Sequence, residues 1–169
     1  MTSVDVVPWR REWARMFEVE RGRLVTVFDG TDYTIEHIGS TSVDGLGAKP
    51  IIDVLVGVER LEEVETRIPT LEGLGYEYVP EYESEIPDRR YFRRPRARPR
   101  TSHVHCVRRG GRLWTHHLAF RDYLRAQPSR ADEYQLLKQQ LAERHASDRT
   151  AYQEGKAAFI RGILEELES

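Results

Sequence analysis

Cysteine occurs once in the 169 residues, at Cys106. That excludes a disulfide framework and a cysteine-rich zinc or iron–sulfur site. No apolar run approaches the roughly 18 residues of a membrane-spanning helix. No basic start followed by an apolar stretch marks a secretory signal. These absences favour the cytoplasm and give no membrane partner. Lysine is scarce as well, with three lysines against 23 arginines. Internal repeats and low-complexity linkers are missing, so residues 1–169 read as one domain. A chain of this size buries about two thirds of its unfolded surface without a disulfide or structural metal. Its 39% apolar and 32% charged residues exclude a collagen-like or largely disordered chain.

The net charge of −2 is unevenly spread. Ten arginines and no acid lie between Arg89 and Arg112, and the rest of the chain holds 16 basic and 28 acidic side chains. The arginine-rich stretch carries Tyr91 and Phe92, which suit stacking on a base. It therefore keeps RNA open as a partner beside a small phosphorylated ligand. Its prolines and close spacing equally describe a solvated hairpin.

Helical spacing of Trp13, Met16, Phe17, Leu24, Val27 and Phe28 predicts a helix over about 9–28, with Glu20 as a polar exception. Tyr33–Ile38 reads as a strand, and Gly39-Ser40-Thr41-Ser42 as a small polar turn. The β-branched run Ile51–Val56 predicts a central strand carrying one acid, Asp53. A buried strand rarely keeps an unpaired carboxylate, so Asp53 belongs on a functional face. A helix is expected over 58–68, a strand over 76–79, and an acid-rich loop over 81–87. Strands are expected over 89–94 and 102–108, joined by a proline- and arginine-rich connection over 95–100. In the last strand His103 and His105 share one face, and Val104 and Cys106 the other. Helices follow over 114–125, then one capped by Ser129, then one capped by Asp148. This order predicts an α/β (α+β) fold with a small mixed sheet, helices packed on one side, and a helical C-terminal part.

Two stretches together resemble the GrpB family, a branch of the nucleotidyltransferase superfamily. One is His37-Ile38-Gly39-Ser40-Thr41-Ser42, running through Lys49-Pro50 to Ile51-Ile52-Asp53-Val54. The other is His103-Val104-His105, followed by Phe120-Arg121-Asp122-Tyr123. The resemblance spans about 7–164. It implies a nucleotidyltransferase-like sheet, a glycine–serine turn, and an acidic strand that binds divalent metal. The superfamily's second strand acid falls at Leu55 here. The strand expected to bring a third acid offers His103 and His105 instead.

Gly39, Ser40, Thr41 and Ser42 fit a phosphate cradle, because glycine admits a close approach and the amides and hydroxyls can hold phosphoryl oxygens. An ordinary capped turn is the competing reading. Asp53 suits a metal-ligand role, since a hard cation wants carboxylate oxygen, and the alternative is an ion pair with a basic side chain. His103 and His105 with Asp53 match a two-histidine, one-carboxylate metal set. Either histidine also suits general-base catalysis or contact with a phosphate. Lys49 suits charge neutralisation of a triphosphate, or the role of a surface amine. Arg121 could clamp phosphate or pair locally with Asp122. Lys138 and Lys156 sit on amphipathic helices that can border the same cleft, and the resemblance favours Lys156 as a phosphate contact. Its spacing with Tyr152 and Phe159 equally fits a packed stem with a snorkelled head. His37 is expected to brace the turn, and His116 and His117 to be a solvated or packing pair.

The expected activity is metal-dependent transfer of a nucleotidyl or phosphoryl group from a nucleoside triphosphate. Asp53, His103 and His105 form the candidate catalytic and metal set. Mg2+ or Mn2+ is the expected ion, with Zn2+ the alternative. A noncatalytic nucleotide- or phosphate-binding module is the rival reading, and RNA association a second.

Overall fold

The computed structural model describes residues 6–169. Strand β1 covers Tyr33–Ile38, β2 Ile52–Val58, β3 Glu77–Tyr78, β4 Arg89–Arg94 and β5 Ser102–Arg108. They form one sheet in the order β1-β2-β5-β4-β3. The β2–β5 pair is parallel and the other neighbours are antiparallel, so the sheet is mixed as expected. Helix α1 covers Glu12–Phe28, α2 Glu62–Glu65 and α3 Ile68–Gly73. Helices α4 (Arg112–Ala126), α5 (Pro128–Arg144) and α6 (Arg149–Glu168) form the helical C-terminal part.

Side chains of a strand alternate between faces, and β2 shows what each face does. Val54, Val56 and Val58 join Val104, Cys106 and Phe92 in the main core. Trp13, Phe17, Leu24, Val27 and Phe28 of α1 cover that core, with Val64 of α2 and Leu71 of α3. The polar exception in α1 is accounted for here. Buried Glu20 accepts hydrogen bonds from the Tyr76 hydroxyl and, at 2.6 Å, from Arg23 Nη1.

Asp53, Leu55 and Gly57 point to the opposite face. Leu55 packs with Ile38 and Val107 beneath Leu113, Trp114 and Leu118 of α4. Gly57 makes this seat possible, because a Cβ there would come within 2.6 Å of Trp114 Cζ3. Helix α4 thus covers the Leu55–Gly57 end and leaves the Asp53 end open. Beyond it, Leu124, Ala131, Tyr134 and Ile163 tie the three C-terminal helices to Val43 and Leu46.

Two local expectations change and one cap holds. The helix expected over 58–68 is two short helices, because Val58 continues β2 opposite Arg108. Pro69, which lacks a backbone donor, starts α3 afresh instead of extending α2. Ser129 does not cap α5, since Pro128 takes the first helical position after Gln127. Asp148 does cap α6, accepting from the Ala151 N–H at 3.1 Å.

Candidate functional site

The parallel register of β2 and β5 sets Asp53 beside His103 and Leu55 beside His105. His105 Nε2 lies 3.3 Å and His103 Nδ1 3.6 Å from Asp53 Oδ1. On the other strand neighbour, Ile38 pairs with Asp53, so the chain leaves β1 directly beside the carboxylate. Gly39 makes that departure with φ 74°, and a Cβ there would fall 2.6 Å from Asp53 Oδ2. Only glycine meets both the torsion and the approach. The turn that follows is one turn of 3-10 helix, Ser40–Ser42. The Ser42 hydroxyl and N–H both donate to the Gly39 carbonyl, while Thr41 Oγ1 meets His37 Nε2 at 2.9 Å. His37 is itself stacked on Phe17 at 4.7 Å, so it braces the turn from the core side.

These groups form the floor of a cleft of about 400 Å³. Asp53 is the sole carboxylate among the described residues that line it, against five basic side chains: Lys49, Lys138, Lys156, Arg89 and Arg149. Lys138 reaches Ser40 Oγ at 2.8 Å and also donates to the Gly47 carbonyl. Lys49 and Lys156 lie 5.6 and 4.9 Å from the ring centre of Tyr152. The facing wall is aromatic. Tyr91 stands 5.2 Å from His105 and 5.4 Å from Tyr82, with Arg89 stacked on it at 4.8 Å.

Charge crowding shifts the proton equilibria. Burial pushes the Lys138 amine down to about 7, helped by Lys156 and opposed by Asp53. Burial likewise takes Lys156 down to about 8, with Lys49 and Arg149 contributing and Asp53 opposing. Burial alone would raise Asp53, but the hydrogen bonds from His103 and His105 outweigh it and hold the carboxyl well below its usual range. His105 is lowered, first by burial and then by Arg89, against the pull of Asp53. Burial and neighbouring His105 push His117 down to about 3.

The His105 proton can be assigned from its partners. Arg89 Nη1 faces His105 Nδ1 at 3.3 Å, and a guanidinium only donates, so Nδ1 accepts. The ring proton then sits on Nε2 and is donated to Asp53. Both nitrogens of His105 are thus engaged in hydrogen bonds. Among the described residues no group of three or more His, Cys, Asp or Glu side chains is arranged to hold a metal ion. The donor set therefore fits a divalent cation only in part. Asp53, with His103 beside it, could anchor an ion whose remaining oxygen ligands come from a bound phosphate and water.

The structure brings Gly39, Ser40, Thr41, Lys49, Asp53, His103, His105 and Lys156 together around this cleft. Ser42 and Arg121 do not line it. Arg121 donates to Glu36 Oε2 at 2.8 Å, to the His37 carbonyl and to Asp122, bracing the back of β1. Sequence reasoning passed over Arg149, read His117 as a solvated or packing residue, and took Arg89 and Tyr91 only as part of the arginine-rich stretch, whereas all four line the cleft. For His117 a signal existed, because it continues the inward stripe of Leu113, Trp114 and Leu118 along α4. The arginine-rich stretch is partly engaged by the chain itself. Arg90 pairs with Glu65, Arg93 with Glu77 and Arg109 with Asp32, while Arg94 and Arg96 donate to the Leu74 and Glu72 carbonyls.

Comparison with known proteins agrees with this architecture. The family model described as GrpB protein matches residues 3–166. The chain belongs to the GrpB family. It is 35% identical to the glutamate-rich protein GrpB of Alkalihalophilus pseudofirmus, covering 98% of this chain and 96% of that one. It is 40% identical to the UPF0157 protein YqkA of Bacillus subtilis over 94% of this chain, but spans only 46% of that longer relative. The crystal structure of the conserved protein GrpB from Enterococcus faecalis superposes with a TM-score of 0.87 at 40% identity, covering 96% of each chain. A crystal structure of the Cid1 poly(U) polymerase superposes with a TM-score of 0.59 at 12% identity, over 89% of this chain and 49% of that one. The GrpB fold thus shares the nucleotidyltransferase architecture. No helix among the described residues is long and apolar enough to cross a membrane.

Proposed function

We propose that this GrpB-family chain binds a nucleoside triphosphate in the cleft and transfers its nucleotidyl or phosphoryl group to an acceptor. The observation that carries the reading is the charge balance of the cleft, one carboxylate among five basic side chains, four of them besides Lys138. Such a site is complementary to a compact polyanion. Lys49 and Lys156 would hold phosphate oxygens, with Ser40 and Lys138 at the turn. Asp53, with His103, would hold a divalent ion together with the phosphates. When bound, that ion supplies neutralisation of the phosphate charge and polarisation of the phosphorus. Imidazole donors suit Mn2+ or Zn2+, and phosphate oxygens extend the set to Mg2+. His105 orients Asp53 through its Nε2–H and leaves the carboxylate ionised. Tyr82 and Tyr91 offer a stacking surface for a base. The internal pairing of Arg90, Arg93 and Arg109 favours a small ligand over RNA.

Binding without turnover is the second reading, and Leu55 favours it. That residue occupies the superfamily's second-acid position and is fully buried under α4. One pair of measurements tests both. Titration calorimetry with ATP, GTP, CTP and UTP, with and without Mn2+ or Mg2+, reads binding. Pyrophosphate or nucleoside diphosphate release reads transfer. Micromolar binding with release supports transfer, and binding without release supports the sensor. No affinity for any of the four removes both readings.

A further inference from the structure

Lys138 is 3% exposed, and its amine meets two neutral oxygens, Ser40 Oγ at 2.8 Å and the Gly47 carbonyl. Buried ammonium groups are ordinarily paired with a carboxylate. Here the nearest ring is Tyr134 at 5.1 Å, and the charges acting on it are Lys156 from α6 and Asp53 from β2, with opposite effects. A neutral amine satisfies this environment better than an ammonium. Lys138 Nζ donates to the Gly47 carbonyl and to Ser40 Oγ, and Ser40 also meets the Tyr134 hydroxyl; once the amine is neutral, its lone pair can turn to take the Ser40 proton. The depressed proton affinity of Lys138 agrees with that geometry. The other hydroxyls of the turn are committed, Thr41 to His37 and Ser42 to Gly39. Ser40 lines the cleft beside an amine able to take its proton.

We propose that Ser40 is a nucleophile toward phosphorus, with Lys138 as its general base. A hydroxyl in hydrogen-bond contact with a base is the arrangement that activates serine, and a serine–lysine pair is an established variant. This inference rests on the triphosphate reading for the identity of the natural electrophile. Ser40 Oγ attacks a phosphorus of the bound triphosphate, and the Oγ–P bond forms. The bridging P–O bond breaks, and its electron pair leaves with pyrophosphate or nucleoside diphosphate. The Ser40 proton passes to Lys138 Nζ. The resulting serine phosphodiester or phosphomonoester then delivers its group to the acceptor, and Lys138 returns a proton or releases it to solvent.

The test uses the whole chain and a fluorophosphonate probe, which carries an electrophilic phosphorus and needs no nucleotide site. Peptide mass spectrometry should locate the label on Ser40 and find none there in Ser40→Ala. Lys138→Arg is the discriminating variant, because a guanidinium keeps the charge but cannot accept a proton. Labelling should slow by roughly 100-fold or more in Lys138→Arg and in Lys138→Gln, the usual worth of a general base. In the native chain the rate should rise about tenfold between pH 6 and pH 8, as Lys138 loses its proton. Incubation with ATP and Mn2+ should leave a nucleotidyl or phosphoryl mass on Ser40, and the mass identifies the bond broken. Equal labelling of the native chain and folded Lys138→Arg overturns the proposal, as does labelling confined to other residues. Should the Lys138 variants unfold, a flat pH profile of the native chain overturns it on its own. Probe labelling without any nucleotide affinity keeps the dyad and removes the triphosphate reading. Nucleotide affinity without labelling does the reverse.

Discussion

The two ends of one sheet face behave differently, although the same strand supplies both. Asp53 and Leu55 are two residues apart on β2 and point the same way. Leu55 is fully buried under α4, whereas the Asp53 side chain is 29% exposed at the floor of the cleft. Gly57 leaves room for Trp114, which lets α4 settle onto the Leu55 end of the sheet, while His117 and Phe120 of the same helix only border the cleft above Asp53. The position where the resemblance would put a second strand acid is here committed to packing. The chemistry left at the open end is one carboxylate, three imidazoles and five basic side chains. Substitutions at the two ends should therefore fail in different ways.

The largest effect is expected from Leu55→Asp. A carboxylate in the fully buried apolar seat beneath Leu113 and Trp114 loses its hydration, so it should cost about 3–5 kcal/mol and lower the thermal midpoint sharply. A variant that kept native stability and gained Mg2+ affinity by calorimetry would sink the account of a sealed end.

Asp53→Asn should act in the opposite way. Its amide keeps the volume and can still accept from His105 Nε2, so the melt should stay within about 1 kcal/mol of native. Metal-dependent turnover should fall by roughly 100-fold or more, because the charge that anchors the ion and balances the cations is gone. Unaltered metal and nucleotide binding in the folded variant would remove Asp53 from the role assigned to it.

Two glycines sharpen the contrast. Gly57→Ala should cost about 1–3 kcal/mol through overpacking against Trp114, with little change in affinity for the ligand per folded molecule. Gly39→Ala carries a comparable penalty from its φ of 74° and the clash with Asp53 Oδ2, but its main readout is ligand affinity, since the carboxylate must move. Chemical denaturation run beside calorimetry separates the pair. Equal losses of affinity in both variants would contradict the division.

Much of this division was legible in the sequence. The bounds of β1, β4 and β5 follow from their β-branched and aromatic runs, and the shared face of His103 and His105 follows from the strand period. The approach of Asp53 to the Gly39 turn was also readable, from a lone acid in an apolar strand preceded by small residues. The parallel pairing that puts His103 beside Asp53 was not, because register depends on partners 50 residues away. Lys138 was visible as a cleft-bordering lysine but not as a partner of Ser40, a contact that spans 98 residues. Arg121 looked like a phosphate clamp because its carboxylate partner, Glu36, lies on another element. Charge runs read from composition share this weakness, since the acids that neutralise Arg90 and Arg93 come from outside the run.

The smallest effect should appear in the pH dependence of stability, and its sign is informative. Lys138 is held down to about 7 when folded and returns to an ordinary lysine value when unfolded. Between those values the unfolded chain binds a proton that the native chain does not, so stability should rise as pH increases. Below about 7 the buried amine must be charged, and the full penalty applies. Lys138→Met should therefore flatten the stability profile between pH 6 and 9 by on the order of 1 kcal/mol, read from urea midpoints at each pH. Affinity for a triphosphate should move the other way in the native chain. Lys156 loses its charge as pH passes about 8, so binding should weaken there while the fold grows more stable. Leu55, at the sealed end, titrates nothing, and a Leu55→Met variant should keep both slopes. A native profile that falls with pH over this range, with Lys138→Met unchanged from it, would mean that Lys138 stays charged, with its burial offset by an anion in the cleft.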